Sequence, residues 1–377
     1  MEKLLLILLC FPLIGWGQSY DVLFIGNSYT YTNNTPQLVS NIATSFGDTL
    51  NYDSSLLGGA TFNIHSTNSS TLSKISFKTW DYVVLQAQSQ EPSFSPNQVA
   101  NDVYPYAQIL MDSIESNSIC TEPIFFMTWG RKYGDQQNCQ FYPPICTYAG
   151  MQQRLRESYL DMTLTHEASC APVGMAWKES ISQDSTLNLF SPDNSHPSIY
   201  GSYLAACIFY ATIFKKSPIG STYIPSGIDT STAFFLQDIA SYTVLDSLAT
   251  WNIFNTDFTY NQNNNFISFT NQSSNYTNVL WDFGDGNQST IDNPNHTYIN
   301  SGTYTITLTA FTNSSCLIDT TTTSISITVS TSVDEIKTIK TLLKITDIFG
   351  REINPYTNTQ LFYIYDDGTV EKRITLE

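Results

Sequence analysis

Two short strings in this chain hold residue types that could together perform nucleophilic acyl chemistry. The first is Gly26-Asn27-Ser28-Tyr29-Thr30, and the second is Asp193-Asn194-Ser195-His196-Pro197. A serine hydroxyl is a weak nucleophile until a base takes its proton, and the base in turn needs a group that orients it. The chain has four histidines, His65, His166, His196 and His296. His65 has no adjacent carboxylate. His166 stands near the end of a helix-like segment, where it can interact with the dipole. His196 differs, because Asp193 precedes it by three residues and one tight loop can present both. Alone, a serine in such a turn is usually a helix cap, and a lone D-x-x-H is usually a surface turn. Together the strings predict Ser28 as nucleophile, His196 as base and Asp193 as its orienting carboxylate.

These residues need a frame that brings position 28 to position 196. The run Asp21–Ile25 (DVLFI) is short, apolar and closed by Gly26, so it reads as a buried strand that delivers Ser28 to a helix N-terminus. That is where open α/β sheets place their sites, and the helix start offers N–H groups to a developing oxyanion. Tyr82–Leu85, Ile124–Trp129 and, more weakly, Pro172–Trp177 read as further strands. Between and after them, 36–46, 97–114, 148–166, 199–214 and 233–251 have helical length and spacing. Strand–helix alternation over residues 20–255 predicts a three-layer α/β/α domain, flavodoxin-like, with a parallel sheet between helices. Residues 256–330 are instead rich in Thr, Asn and Ser. Thr303–Ala310 alternates at period two there, which predicts a small β-sandwich. Residues 335–377 carry three strand-like runs, 342–348, 361–365 and 370–376, and predict a small β domain.

The combination of G-N-S on the first strand with a late D-x-x-H resembles the SGNH (GDSL-like) hydrolases. The α/β-hydrolase pattern fits less well, since no G-x-S-x-G elbow is present. The resemblance implies an ester hydrolase without metal or cofactor. It also implies an oxyanion hole from the Ser28 amide, from Gly59 (or Gly58) in Leu57-Gly58-Gly59-Ala60, and from Gln88. Gln88 stands where the family carries Asn and is one methylene longer. Thr128-Trp129-Gly130-Arg131 and Pro172-Val173-Gly174 are similar to a bacterial branch of the same superfamily. Arg131 there is either an anchor for a polar or anionic substrate group or a structural pin.

Trp281-Asp282-Phe283-Gly284-Asp285-Gly286, Asn295-His296-Thr297-Tyr298 and Gly302-Thr303-Tyr304 resemble the PKD domain. This implies an immunoglobulin-like spacer or binding module in which these residues serve core and turns; calcium at Asp282 and Asp285 is the sharper alternative. Ile345-Thr346-Asp347-Ile348-Phe349-Gly350-Arg351-Glu352 with Tyr363–Gly368 resembles the sorting domain of the type IX secretion system of Bacteroidetes. That implies export through its machinery.

The ends and the composition agree with export. Lys3, the apolar run Leu4–Ile14 and small Gly15 and Gly17 predict a secretory signal at 1–17. No later apolar stretch is long enough to span a membrane. Charged residues make up 13% and the net charge is −17, which disfavours nucleic-acid partners. An oxidising compartment permits disulfides. Cys139 and Cys146 are spaced to staple a loop over the site, Cys120 and Cys170 precede strand-like runs and are a candidate pair, and Cys207 reads as a buried thiol. The expectation is thus a secreted or surface-bound serine esterase acting on an ester substrate, with an acylated glycan favoured. A lipolytic esterase and an inactive surface adhesin or glycan-binding protein are its alternatives.

Overall fold

The computed structural model describes residues 17–312, 316–329, 340–355 and 358–374. The expected signal at 1–17 therefore lies outside the described residues except for Gly17. Five strands form one parallel sheet: β1 (Ser19–Gly26), β2 (Thr49–Leu56), β3 (Tyr82–Leu85), β4 (Glu122–Phe126) and β5 (Ser169–Ala171), in the order β2-β1-β3-β4-β5. β1 pairs on both edges, with β2 and β3. A strand enclosed on both edges and both faces must be apolar throughout, and Val22–Ile25 are fully buried. Helix Ile199–Phe214 packs against helices Thr35–Ser45 and Thr230–Leu245; helix Tyr104–Asn117 packs against Phe62–Thr67 and Ser69–Ile75. The first of these is apolar on every side and buried from Gly201 to Phe214, as a helix at the centre of a layer must be.

One expected element changes type. Residues 172–177 are not a strand: β5 ends at Ala171, and Val173–Gln183 is a helix. Its buried residues Val173, Ala176, Trp177 and Ser180 repeat at helical spacing. A six-residue apolar run is too short to separate strand from buried helix by composition.

Two further antiparallel sheets follow. One has the order β10-β7-β6 and the other β12-β11-β8-β9. Their strands are β6 (Phe258–Asn263), β7 (Phe266–Asn271), β8 (Asn278–Asp282), β9 (Gln288–Ser289), β10 (Asn295–Thr297), β11 (Gly302–Phe311) and β12 (Ile318–Ile327). Their shared core is built on Trp281, fully buried with Phe258 at 5.0 Å and Phe269 at 5.2 Å between ring centres.

The seam between the parallel-sheet region and these sheets carries directed bonds. Ser274 Oγ donates to the Ile253 carbonyl at 2.6 Å, Asn275 Nδ2 to the Asn252 carbonyl at 2.9 Å, and the Thr256 amide to Asp319 Oδ2 at 2.9 Å. A disulfide joins Cys120 to Cys316 across 196 residues. This replaces the expected Cys120–Cys170 pair. In the β4–β5 register Cys170 stands opposite Phe125. β4 begins at Glu122, three residues or roughly 10 Å before that point at ~3.3 Å per residue, and Cys120 lies in the turn ahead of it. A disulfide needs Cα atoms within about 7 Å. Cys170 and Cys207 are buried free thiols, and Cys139–Cys146 is the second disulfide.

The segment from Val329 onward is a separate compact unit. It holds the antiparallel sheet β13 (Leu342–Thr346), β14 (Gln360–Tyr365) and β15 (Val370–Ile374). Asp347 closes its first turn, accepting from the amides of Phe349 and Arg351 and from Arg351 Nε, each within 2.9 Å. The end of the expected run 370–376 lies outside the described residues. No helix among the described residues is long and apolar enough to cross a membrane.

Candidate active site

The site is assembled at the C-terminal ends of the parallel strands. β1 stops at Gly26, and Asn27 starts the short helix Ser28–Tyr31 by accepting the Tyr29 amide on its side-chain oxygen at 3.1 Å. Gln86, fully buried just past β3, fastens this turn. Its Oε1 accepts from the Asn27 amide at 2.9 Å and from Thr30 Oγ1 at 3.0 Å. Glycine at 26 follows from that contact, because a Cβ there would lie 2.7 Å from Gln86 Oε1.

From the other end of the domain, the loop 190–197 returns to this turn. Phe190 and Pro197 bridge its base, and Asn194 takes the left-handed conformation (φ 62°) at its tip. His196 Nε2 lies 2.8 Å from Ser28 Oγ, and His196 Nδ1 lies 2.5 Å from Asp193 Oδ2. Asp193 Oδ1 also accepts the amides of Ser195 and His196, both at 3.0 Å. Partial burial works against the charge on Asp193. The His196 bond and the two amides outweigh it and hold the carboxyl below the ordinary carboxylate range. An ionised Asp193 accepting from Nδ1–H leaves Nε2 with its lone pair toward Ser28, the tautomer a base requires.

Of the expected oxyanion donors, Gly59 lies in a segment that is bonded to this turn. Gly59 is exposed with φ +69°, the left-handed region that a residue with a side chain rarely enters. Its segment is tied to the serine turn at two points. The Leu57 amide donates to the Gly26 carbonyl at 3.0 Å, and Asn27 Nδ2 donates to the Ala60 carbonyl at 3.0 Å. Gln88 follows β3. Its Oε1 accepts the amides of Gln90 and Glu91 at 2.6 and 3.2 Å, and its Nε2 donates to Gln90 Oε1 at 3.3 Å. A primary amide has two N–H donors, so one remains beyond that contact. Gln90 Nε2 in turn donates to Asp135 Oδ2 at 2.7 Å.

Arg131 lies 3.7 Å from Asp135 Oδ1 and is one-quarter exposed, whereas Asp135 is fully buried. Asp135 also accepts from Asn138 Nδ2 at 2.8 Å and from the Gln137 amide at 3.2 Å. Arg131 thus lies beside a buried carboxylate of the loop that Cys139–Cys146 closes.

Several residues at this site were given no role in the sequence, His65 being set aside for want of an adjacent carboxylate. His65, fully buried, sits under the serine turn with Nε2 2.9 Å from the Gly26 carbonyl and Nδ1 2.9 Å from Thr71 Oγ1. Burial pushes its pKa down, which suits a neutral ring that donates to a carbonyl. Tyr29, Trp129 and Trp177 form a parallel stack, with centroids 4.6 Å and then 4.0 Å apart. Buried aromatics of this kind carry no sequence mark that separates them from ordinary core. Among the described residues no group of three or more His, Cys, Asp or Glu could hold a metal ion. In the sandwich, Asp282 and Asp285 bond to the amides of Gly284 and Asn287, and Asp285 also to His296.

Residues 253–329 match the PKD domain family. The PKD1 domain of the Vibrio cholerae metalloprotease PrtV is similar at 29% identity over 20% of this chain and 95% of its own, with a TM-score of 0.19. A protein from Slackia heliotrinireducens, named provisionally as an SGNH hydrolase, is 22% identical over 52% of this chain and all of its own, with a TM-score of 0.43. No curated protein matches the chain. A DUF4886 family protein from Bacteroides uniformis ATCC 8492 superposes with a TM-score of 0.52 at 17% identity, over 60% of this chain and 95% of its own. The α/β part therefore has the fold of that Bacteroides protein, followed by a segment similar to PKD domains.

Proposed function

We propose that this chain is an exported serine esterase that transfers an acyl group from an ester to water. The observation that carries the reading is the unbroken line Asp193–His196–Ser28, with both imidazole nitrogens engaged at 2.5 and 2.8 Å. Ser28 Oγ attacks the ester carbonyl as its proton passes to His196 Nε2. The amides of Ser28 and Gly59 and the free N–H of Gln88 receive the oxyanion, each such donor contributing about 2.7–4 kcal/mol in comparable sites. The C–O bond to the alcohol breaks and His196 returns its proton to the departing oxygen. Water, deprotonated by His196, then attacks the acyl carbon, and the acid leaves as Ser28 regains its proton.

The substrate we favour is a short acyl group, acetate above all, on a carbohydrate. Asp193 and His196 are 48% and 36% exposed at their side chains, so the base side of the site is open to a bulky hydrophilic alcohol. Residues 20–255 would form the catalytic domain and 256–330 an accessory module. A signal at 1–17 and a sorting domain at 335–377 would deliver the protein to the cell surface or beyond.

The test is hydrolysis of p-nitrophenyl esters from acetate to palmitate by the full chain, with Ser28→Ala in parallel. Turnover that vanishes in the variant and falls off beyond three carbons is the expected result. Rising activity toward palmitate would make the enzyme lipolytic. Absence of Ser28-dependent turnover on every ester would sink the esterase reading and favour a glycan-binding surface protein.

A further inference from the structure

Ser195, the residue between acid and base in the loop, has all of its polar groups in use. Its amide donates to Asp193 Oδ1 at 3.0 Å. Its carbonyl accepts from Trp129 Nε1 at 3.0 Å. Its hydroxyl shares a 2.6 Å hydrogen bond with the hydroxyl of Tyr29. Ser195 is the chain neighbour of His196, and Tyr29 is the chain neighbour of Ser28. Two consecutive residues of the nucleophile turn are thus joined to two consecutive residues of the base loop. One bond would set a distance and leave the loop free to rotate about it; two set the distance and the rotation together.

The Tyr29 end of this tie is buried in a ring stack. Its ring is 2% exposed and lies parallel to Trp129 within 1°, which lies parallel to Trp177 within 4°. The same ring meets His196 edge-on at 5.4 Å. The loop end is more exposed at Asp193 and His196, and it is closed within itself by the Ser191 amide on the His196 carbonyl at 2.8 Å and Ser191 Oγ on the Pro197 carbonyl at 2.9 Å. Two further bonds link it to other segments at backbone atoms on either side of Ser195: the Lys132 amide bonds the Asn194 carbonyl at 3.0 Å and Asn33 Nδ2 the Pro197 carbonyl at 3.2 Å.

We infer that Tyr29, acting through Ser195 and backed by Trp129, is a positioning residue that holds His196 at proton-transfer distance from Ser28. The inference rests on the esterase reading. Proton transfer from serine needs the base within hydrogen-bond reach, and a misplacement of ~1 Å can cost about 100-fold in rate. A clamp of this kind acts on kcat and leaves substrate affinity alone, whereas residues that only support the fold alter stability and the amount of active protein.

The test uses the full chain with p-nitrophenyl acetate. Tyr29→Phe removes one oxygen and keeps the ring stack. It should lower kcat by about 10- to 100-fold with KM within about two-fold and a near-unchanged melting temperature. Ser195→Ala should lower kcat equally, and the double variant should be no slower than either single one, because both break the same bond. Ser195→Thr, which keeps the hydroxyl, should retain most of the rate. Wild-type kcat in both Tyr29→Phe and Ser195→Ala, or losses that multiply in the double variant, would overturn the clamp. Ser28→Ala in the same assay separates the two levels. Turnover that depends on Ser28 but survives Tyr29→Phe removes the clamp alone, and turnover that does not depend on Ser28 removes the esterase reading and the clamp with it.

Discussion

The described residues hold two aspartate–histidine pairs of nearly equal length whose imidazole rings have different surroundings. Asp193 lies 2.5 Å from His196 Nδ1 beside the parallel sheet, and Asp285 lies 2.7 Å from His296 Nε2 in the sandwich. In both, desolvation opposes the carboxylate and is outweighed by the histidine bond and backbone amides, so both stay below the ordinary range. The difference is in what else the ring touches. His296 lies flat on Phe283, 4.2 Å away and within 5°, and meets Tyr298 edge-on at 4.6 Å. His196 is about one-third exposed and aims its second nitrogen at a serine hydroxyl. The pair is a way of holding an imidazole still. The third partner is a serine hydroxyl for one ring and an aromatic face for the other.

The largest effects should come from exchanging the two histidines' fates. His196→Ala should lower kcat by roughly 10⁴- to 10⁶-fold with the melting temperature little changed. His296→Ala should leave kcat alone and lower the melting temperature, since it removes an aromatic stack worth about 0.5–1.5 kcal/mol and a hydrogen bond. Steady-state kinetics with a thermal melt reads both, and equal kinetic losses would erase the distinction. Gln88→Ala comes next, with an expected fall in kcat of about 10²- to 10³-fold. A kcat unchanged in that variant would remove Gln88 from the oxyanion hole.

Cys120→Ser tests the seam between the two regions. Opening a bridge across 196 residues should cost about 2–4 kcal/mol of stability in a denaturant titration without altering kcat. The smallest effect concerns a third kind of acid, one with no basic partner. Burial, with Asp102 nearby, raises Glu91 from 4.5 to about 7. The folded state then keeps a proton that the unfolded chain gives up, so stability declines as pH rises from about 4.5 to about 7. Glu91→Gln should flatten that decline. Its melting temperature should match the wild type at pH 4.5 and exceed it at pH 8; an unchanged pH dependence would show that Glu91 is not the group responsible.

Local patterns in the chain carried much of this organisation. DVLFI before Gly26 marked β1, YVVL marked β3 to the residue, and the mostly apolar stretch 199–214 marked its helix. D-x-x-H drew attention to His196 because the two residues sit in one turn, where short-range geometry follows from spacing. Pro172–Trp177 misled because a short apolar run is equally suited to a strand or to a helix buried on one side. The 3-1-3 spacing of Val173, Ala176, Trp177 and Ser180 becomes informative only once those residues are known to be inside. Gln86 and Tyr29 bear on the site through bonds to Asn27 and Ser195, 59 and 166 residues away. Tyr29 stands beside Ser28 in the chain, but nothing local to either residue states which distant atom it will bond.

By itself, then, the amino-acid sequence left β2, β5 and the helix Val173–Gln183 unmarked but indicated β1, β3, β4 and the longer helices, the change of character near residue 256, and which serine, histidine and aspartate could work together. Each of these depends on residues close in the chain, where periodicity and turn geometry act. Tertiary structure decided the rest. It paired Cys120 with Cys316 rather than Cys170, because strand register set Cys170 opposite Phe125, well inside the sheet from the turn that holds Cys120. It gave Arg131 a buried aspartate as partner, and it placed the Tyr29 hydroxyl 2.6 Å from Ser195. Contacts between distant segments depend on how whole layers pack, and a residue type cannot state in advance which atom will lie opposite it.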